Sequence, residues 1–482
     1  MTARLICAAL LVLCTAPPAF AANELAQDLS ARRQRLMARL GPETIFVLMS
    51  APERNYSQDV NYEYRQDSNF YYLTGIARPN TMLVLMPGNA THREVLFVPD
   101  RDPLREHYSG RRLSHEEATE RSGIAMVLST AQFEPFIAAM FTGQRFGAID
   151  DREAAAFFAA LEADRARLAL ALEPRSVNGV AGPILSFGHR LRERFSGFRI
   201  VDALPDLVDL RLVKTPQEQR FLMRSLEIAA EAHLAGMRAA RPGAYEYEVK
   251  AAIEAMCRAR GAVSWSFPAI VASGQNATIL HYPESDRRLE AGDLMLVDAA
   301  CNYEYMSGDL TRTYPVSGRF SVPQREIYAL VLEAQEAAKD VARPGATLTD
   351  VHQKAVDVIR AGLLRLGLIT DATGDQYRMW FTHLSVHYIG IDVHDPGDNG
   401  RPLQPGMAFV IEPGVYVRQE VLDGLFRTPE DQALAERIQP AVNRYRNIGV
   451  RIEDAYLLRP DGLHPLTSAV PRTIQDIERH LR

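Results

Sequence analysis

Two acidic residues in the second half of the chain are placed where they could share a metal ion. Asp298 closes the apolar run 294–298, and Asp309 follows in the segment 307–313. If residues 302–305 form a hairpin turn, the antiparallel strands on either side bring the two carboxylates side by side. Like charges at that separation are unfavourable unless a cation bridges them. Asp298 alone has an ordinary alternative, since aspartate often caps a turn at a strand end.

Three further residues extend this set of candidate ligands. His387 lies in the segment 385–390, Glu412 follows an apolar run, and Glu453 lies in the segment 449–454. Taken separately, they could be a core histidine, a strand-end turn and half of a surface ion pair. Together with the two aspartates they give four carboxylates and one imidazole, which is enough for two bridged divalent cations.

An internal repeat relates these candidates to each other. The sequence Ala-Arg-Pro-Gly-Ala occurs at 240–244 and again at 342–346, each time between segments with helical patterns. Leucine, glycine and an acidic residue recur in the same order and at the same spacing, first as Leu289, Gly292 and Asp298 and then as Leu403, Gly406 and Glu412. His281 and His394 are separated by nearly the same interval. A doubled helix-helix-strand unit predicts two halves that face each other across a cleft.

Length and composition set the wider frame. A chain of 482 residues is too long for one ordinary core, so we expect two domains. Hydrophobic residues make up 47% and charged residues 24%, as in ordinary globular proteins. The net charge of -6 argues against a nucleic-acid-binding surface, because no basic excess exists to displace counterions.

The first 21 residues have the pattern of a signal peptide. Arg4 precedes an apolar run, and small residues at 19 and 21 occupy the two positions that a signal peptidase reads, so Ala22 is the expected mature start. The run is too short for a membrane span, and bulky Leu13 before Cys14 disfavours a lipoprotein. We therefore expect an exported protein, periplasmic or secreted.

Export would leave two cysteines in the mature chain, Cys257 and Cys301. A disulfide between them is possible in an oxidising compartment. Two cysteines set no disulfide framework, however, and we expect buried free thiols.

The α/β fold class follows from the order of predicted elements. Residues 44–49 and 81–86 are predicted as strands, and residues 153–172 as a helix. Thr215-Pro216-Gln217-Glu218 is a capping box that starts a helix running to about residue 240. We predict an amino-terminal domain over 22–205 and a catalytic domain over 206–482.

Residues 215–470 resemble the pita-bread metallopeptidases, which include Xaa-Pro aminopeptidases (aminopeptidase P), prolidases and methionine aminopeptidases. The resemblance rests on the long motifs at 308–318 and 387–395, and the segment 64–75 is similar to the amino-terminal domain of aminopeptidase P. It implies a pseudo-twofold α+β catalytic domain behind a creatinase-like α/β domain. It also implies cleavage after the first residue of peptides with proline second, and a homo-oligomer (dimer or tetramer).

The resemblance also implies roles for individual residues. The two divalent cations, manganese by family preference with zinc or cobalt left open, are assigned to Asp298, Asp309, His387, Glu412 and Glu453. Catalytic roles are assigned to His281, His394 and Glu412, with Glu412 moving the proton. Substrate contacts are assigned to His281, His383, His394 and Arg451, and His383 would help to form the proline pocket.

The sequence departs from the family pattern in a few places. Leu384 stands where relatives often carry glycine, and Met306 and Ala300 replace a tyrosine and a glycine near the second ligand. The polar stretch 418–445 is longer than usual and could be a surface excursion or an oligomer contact. Prolidase is the nearest alternative function, and a non-catalytic peptide-binding relative is the alternative from another class.

Overall fold

The computed structural model describes residues 19–172, 182–425 and 428–482. The chain divides into two compact units, Met1–Leu207 and Val208–Arg482. The predicted signal segment, residues 1–21, lies outside the described residues apart from its last three positions, which begin a helix. Within the described ranges, no helix has the length and apolar character needed to cross a membrane.

The first unit is a mixed sheet with helices. Its helices are α1 Ala19–Leu40, α2 Ser68–Thr74, α3 Pro103–Ser109, α4 His115–Ser122, α5 Phe133–Phe141, α6 Ala155–Glu162 and α7 Pro183–Arg194, and α8 Leu204–Leu212 crosses into the second unit. Its strands are β1 Thr44–Met49, β2 Asn55–Ser57, β3 Val60–Asn61, β4 Met82–Leu85, β5 Glu94–Val98, β6 Met126–Ser129, β7 Ala166–Leu170 and β8 Phe198–Asp202. Six strands form one sheet in the order β6-β5-β4-β1-β7-β8.

One helix prediction in this unit is wrong over half of its length. Residues 153–172 form the short helix α6 and then the buried strand β7, separated by a turn in which Asp164 has a φ of 55°. β7 pairs in parallel with both β1 and β8. Two strand partners and a buried position override the helix propensity of the alanine- and leucine-rich sequence.

The second unit contains the residues with candidate chemistry. Its helices are α9 Pro216–Ala239, α10 Glu246–Ala259, α11 Val322–Val341, α12 Leu348–Arg365, α13 Gln419–Leu425, α14 Pro429–Tyr445 and α15 Ile474–His480. Its first six strands are β9 Ser264–Trp265, β10 Ile270–Ser273, β11 Leu294–Asp298, β12 Cys301–Tyr303, β13 Met306–Ser307 and β14 Thr311–Pro315. The others are β15 Val386–Tyr388, β16 Ala408–Ile411, β17 Gly414–Val417, β18 Ile448–Arg451, β19 Asp454–Arg459 and β20 Gly462–Pro465. The predicted α/β class is confirmed.

The two repeat halves have the same hydrogen bonds. Gly243 donates to the carbonyl oxygen of Leu289 at 2.9 Å, and Gly345 donates to that of Leu403 at 3.0 Å. Each leucine returns a bond to the alanine after its glycine. A helix pair precedes the central strand in each half, α9 and α10 before β11 and α11 and α12 before β16. The predicted duplication is therefore confirmed, with Asp298 and Glu412 at equivalent strand ends.

The cysteine prediction is wrong. Cys257 on α10 and Cys301 on β12 form a disulfide with Cα atoms 5.7 Å apart. Both residues are buried, as expected. Their sequence separation gave no indication of this proximity, which arises because β9 follows α10 in the chain and pairs Trp265 with Cys301.

The stretch 418–445 folds onto its own unit. It forms α13 and α14, with residues 426–427 between them outside the described ranges. Ile438 and Val442 are buried on one face of α14, and the Tyr445 hydroxyl donates to Glu326 Oε2 on α11 at 2.6 Å. Much of the insertion is therefore a helix packed on α11.

Candidate metal centre

Two neighbouring strands bring the first two acidic residues together. β11 ends at Asp298, which is paired antiparallel with Thr311 at the start of β14. Between them the chain turns back through the β12–β13 hairpin, whose tip at residues 304–305 has positive φ. Asp309 lies just before β14, and carboxylate oxygens of Asp298, Asp309 and Glu453 lie within 4.8 Å of one another. The predicted hairpin is confirmed.

The second half supplies an imidazole and two glutamates. His387 lies in β15, Glu412 directly follows β16, and Glu453 lies between β18 and β19. Pro413 has no N–H, so the β16 ladder ends where Glu412 turns toward the group. His387 Nε2 is 3.4 Å from Asp309 Oδ2, 3.6 Å from Glu412 Oε1 and 3.9 Å from Glu453 Oε1. All five predicted ligands therefore lie together.

Burial and mutual repulsion raise the pKa values of three of these carboxyl groups. For Asp309, desolvation has the largest effect, and the charges of Asp298 and Glu412 add to it. Desolvation and then the Glu453 charge raise the pKa of Glu412 to about 8. Desolvation and then the charges of Asp309 and Asp298 raise the pKa of Glu453 well above its ordinary value. A bound cation would remove this repulsion.

Buried acceptor atoms without donors test whether these residues fit metal ions. Among the described residues, Asp298 Oδ1 and Glu453 Oε1 make no hydrogen bond. Their partner oxygens are satisfied, because Arg451 donates to Asp298 Oδ2 and Thr311 Oγ1 donates to Glu453 Oε2 at 2.8 Å. Buried acceptors are seldom left unpaired, and oxygen-rich donors with one imidazole suit divalent cations. The five predicted ligands therefore suit a site for divalent cations.

Arg451 lies next to two of the carboxylates, Asp298 and Glu412, and its side chain is only 3% exposed. Its guanidinium contacts Asp298 and donates to the hydroxyl of Tyr416 at 3.0 Å and to Thr311 Oγ1 at 3.2 Å. Desolvation acts against its charge, but Tyr416, Asp298 and Glu412 together raise the pKa of Arg451. The structure thus places Arg451 as a partner of a predicted ligand.

Two of the three predicted histidines lie next to the carboxylates, His383 near Glu412 and His394 near Asp309. His383 Nε2 is 2.9 Å from the Tyr416 hydroxyl, and burial followed by the Arg451 charge lowers the pKa of His383 to about 3. The His394 ring centroid is 4.3 Å from that of His387. Burial, then the charges of His387 and His281, lower the pKa of His394. His281 is exposed on the loop after the turn Gly274–Thr278.

Tyr416 and Thr311 were not among the predicted site residues. The buried Tyr416 joins His383 to Arg451, and Thr311 joins Glu453 to Arg451. A signal for Tyr416 was present in the sequence, since Gly414 and Tyr416 alternate along β17 and follow Glu412 at the same two-residue spacing. A Cβ at Gly414 would lie 2.4 Å from the Tyr416 hydroxyl oxygen, so any larger residue there would displace the Tyr416 side chain.

The fold and this side-chain group define a metal-dependent hydrolase with a separate amino-terminal domain. Residues 220–460 match the metallopeptidase family M24, and residues 29–147 match the aminopeptidase P N-terminal domain. The chain belongs to metallopeptidase family M24.

Relatives match over nearly the full length. A Xaa-Pro aminopeptidase of Haemophilus influenzae is 34% identical, with 94% of this chain and 96% of the relative covered. The structure of Pseudomonas aeruginosa aminopeptidase PepP is 33% identical with a TM-score of 0.79, covering 95% of this chain and 98% of that one. That of Escherichia coli aminopeptidase P with the inhibitor Pro-Leu is 32% identical with a TM-score of 0.78 and the same coverage.

Proposed function

We propose that the protein removes the first residue from peptides with proline in second position, by hydrolysis at a centre of two divalent cations. The observation that carries the proposal is the overlap of three ligand clusters, each within 4.8 Å. Asp309 and Glu453 each belong to two of these clusters, as carboxylates that contact two neighbouring cations would. The relatives named Xaa-Pro aminopeptidase support the substrate class.

The side chains divide the chemistry among them. Divalent cations held by these five residues would lower the pKa of the attacking water and polarise the scissile carbonyl. Glu412 accepts the proton of that water and returns it to the leaving imide nitrogen. His394 donates to the oxyanion, and His281 contacts the substrate near the scissile bond.

Proline recognition needs a shaped pocket. An Xaa-Pro bond has no N–H, so ordinary backbone recognition loses a donor there. We assign this recognition to His383, whose Nε2 lies 2.9 Å from the Tyr416 hydroxyl, and Arg451 donates a hydrogen bond to the same hydroxyl. Neutral His383 presents a ring face without a charge to desolvate, which suits an apolar pyrrolidine ring.

Manganese is the cation we propose for the centre. Four carboxylates and one imidazole form a hard, oxygen-rich donor set. Such a set suits manganese, whereas zinc favours sites with sulfur donors. The test is to strip the protein and add back manganese, zinc or cobalt. Greatest activity with zinc or cobalt at matched occupancy would contradict the assignment.

We propose further that the protein is exported. The pattern of residues 1–21 supports this, and so does the disulfide between Cys257 and Cys301, because structural disulfides persist in oxidising compartments. Amino-terminal sequencing of protein from the native host is expected to begin at Ala22. A start at Met1 in a cytosolic fraction would contradict export.

We also propose a homo-oligomer, dimer or tetramer, on the basis of the family resemblance. Sedimentation equilibrium on the purified protein measures the mass directly. A monomer at working concentration would contradict this part of the proposal.

The substrate class is tested with peptides of graded length. Xaa-Pro-Pro and longer peptides are expected to release the first residue, and Xaa-Pro dipeptides to react poorly. Cleavage restricted to dipeptides would favour prolidase instead. Asp298→Asn is expected to lose bound metal and activity together, because it removes a charged ligand. Retained metal and activity would refute the centre, and metal binding by the wild type without hydrolysis would favour a peptide-binding relative.

A further inference from the structure

A buried ionic cluster adjoins the turn that carries His394. Asp395 contacts Lys214 Nζ through Oδ2 at 2.6 Å and Arg211 through Oδ1. Arg211 also contacts Asp392 Oδ2 at 2.6 Å. The side chains of Arg211, Lys214 and Asp395 are 3%, 1% and 1% exposed. Two cations and a carboxylate are thus sealed from solvent beside a predicted catalytic residue.

Stability alone is a poor reason for such a cluster. Burial opposes ionisation of Asp395, yet the charges of Arg211 and Lys214 hold its pKa below the ordinary value. Desolvation offsets most of the attraction in a buried ion pair, so apolar packing often stabilises as well or better. What a sealed ionic cluster does provide is one fixed arrangement of the groups that it joins.

The cluster fixes the turn 388–395. The backbone N–H of Asp395 donates to the carbonyl oxygen of Tyr388 at 2.9 Å, next to His387. A Cβ at Gly390 would lie 2.5 Å from Asp395 Oδ2 and 2.7 Å from Lys214 Nζ. The turn therefore packs directly against the ion pair, and its backbone has no room to shift toward it.

The hairpin before Asp309 holds the same turn. The backbone N–H of Ser307 donates to the carbonyl oxygen of Gly390 at 2.7 Å, and its hydroxyl donates to that of Ile391 at 3.1 Å. Asn302 in turn donates to Ser307 Oγ at 2.9 Å. The turn is thus tied to the ion cluster and to a strand that leads to a predicted metal ligand.

His394 itself has no such support. Its side chain is exposed, and among the described residues its imidazole makes no hydrogen bond. Its ring lies 4.3 Å from the His387 ring. The placement of the imidazole therefore depends on the backbone on either side of it, and Asp395 is the next residue along that backbone.

We propose that Asp395, held by Arg211 and Lys214, is a positioning residue that sets the place of His394 beside the metal centre. This inference rests on the proposed function, in which His394 donates to the oxyanion. Asp395 touches neither substrate nor cation and acts only through the turn.

The kinetic test uses Asp395→Asn, which removes the charge with little change in volume. We expect kcat to fall about 100-fold with little change in KM, since a displacement of about 1 Å can cost that much. Metal content should stay at the wild-type value. In a His394→Ala background the same change should have almost no further effect on kcat, because the two residues act as one unit.

A matched control is Glu94→Gln in the first unit, where Glu94 pairs with fully buried Arg33 at 2.9 Å. It should lower thermal stability and leave kcat unchanged. If Asp395→Asn, like the control, lowers thermal stability without lowering kcat, the positioning role is refuted. It is also refuted if the effects of Asp395→Asn and His394→Ala on kcat are fully additive. The double-mutant cycle remains valid when a variant is partly unfolded, provided that each kcat is divided by the folded fraction of that variant.

A second measurement needs no turnover. In histidine-labelled protein, the His394 ring resonance, assigned by its loss in His394→Gln, should be single and sharp in the wild type and shifted or broadened in Asp395→Asn. An unchanged resonance refutes the inference. If the resonance shifts in Asp395→Asn but the wild-type protein cleaves no proline peptide, the proposed function is refuted and the positioning of His394 still holds.

Discussion

At the scale of single residues, Glu412 carries the most informative charge. Its raised pKa, caused by burial and by Glu453, reflects a protein without cations. The folded, metal-free state therefore binds more protons than the unfolded state between about pH 4.5 and pH 8. By linkage, the metal-free protein loses stability as pH rises through that window.

This predicts a pH-dependent effect of metal removal. Melting curves of stripped and manganese-loaded protein should diverge as pH rises from about 5 to about 8, with the stripped form falling. Glu412→Gln should make the stripped profile less steep, because the amide does not titrate while Asp309 and Glu453 still do. A stripped wild type that gains stability over this range would contradict the repulsion described for the carboxylates.

Tyr416 gives a second prediction at this scale. Tyr416→Phe removes the hydroxyl that joins His383 to Arg451. A hydrogen bond to a charged group is worth about 1.5–3 kcal/mol, so kcat/KM should fall about 10- to 100-fold with metal content unchanged. Tyr328→Phe is the matched control, since it removes a buried hydroxyl that donates to the Arg472 carbonyl oxygen at 2.7 Å. Equal activity in both variants would remove Tyr416 from the site.

At the scale of elements, the close contact at Gly449 limits how β18 can be built. A Cβ there would lie 2.0 Å from the carbonyl oxygen of Ala277. Two residues later the same strand presents Arg451 to Asp298. The position of Arg451 therefore depends on the absence of a side chain at Gly449.

Gly449→Ala is accordingly expected to destabilise the protein by about 3 kcal/mol and to reduce activity, because backbone must move to admit the methyl group. Gly292→Ala is the control, since no atom lies within 4 Å of its Cβ position. Chemical denaturation of both variants measures the difference. Similar free energies of unfolding would show that β18 can shift freely.

At the scale of the whole molecule, the disulfide closes a loop between residues 44 apart in sequence. Loop-closure entropy of the unfolded chain gives a stabilisation of about 4 kcal/mol. Replacing both cysteines by alanine should lower the melting temperature, and a reductant should lower that of the wild type alone. Two free thiols in denatured, unreduced protein that starts at Ala22, and so lacks Cys7 and Cys14, would contradict the bond.

The sequence alone predicted the candidate metal ligands and the duplication that relates them. Local patterns predict the structure of their own segment. Examples are the acidic residues at strand ends, the repeated Pro-Gly turns and the capping box at Thr215. The repeat went further and related Asp298 to Glu412 without any coordinates. Residue type, order and spacing fixed these conclusions because they depend on neighbours along the chain.

The tertiary structure decided what depends on contacts between distant segments. It turned an alanine-rich helix prediction into β7, because two strands were available as partners. It joined Cys257 to Cys301, which no spacing rule relates. It also gathered Tyr416, Arg451 and the cluster around Asp395, where burial and paired charges rather than sequence patterns determine what each side chain does. Local sequence does not encode which distant segments come into contact, and the environment of each of these residues depends on such contacts.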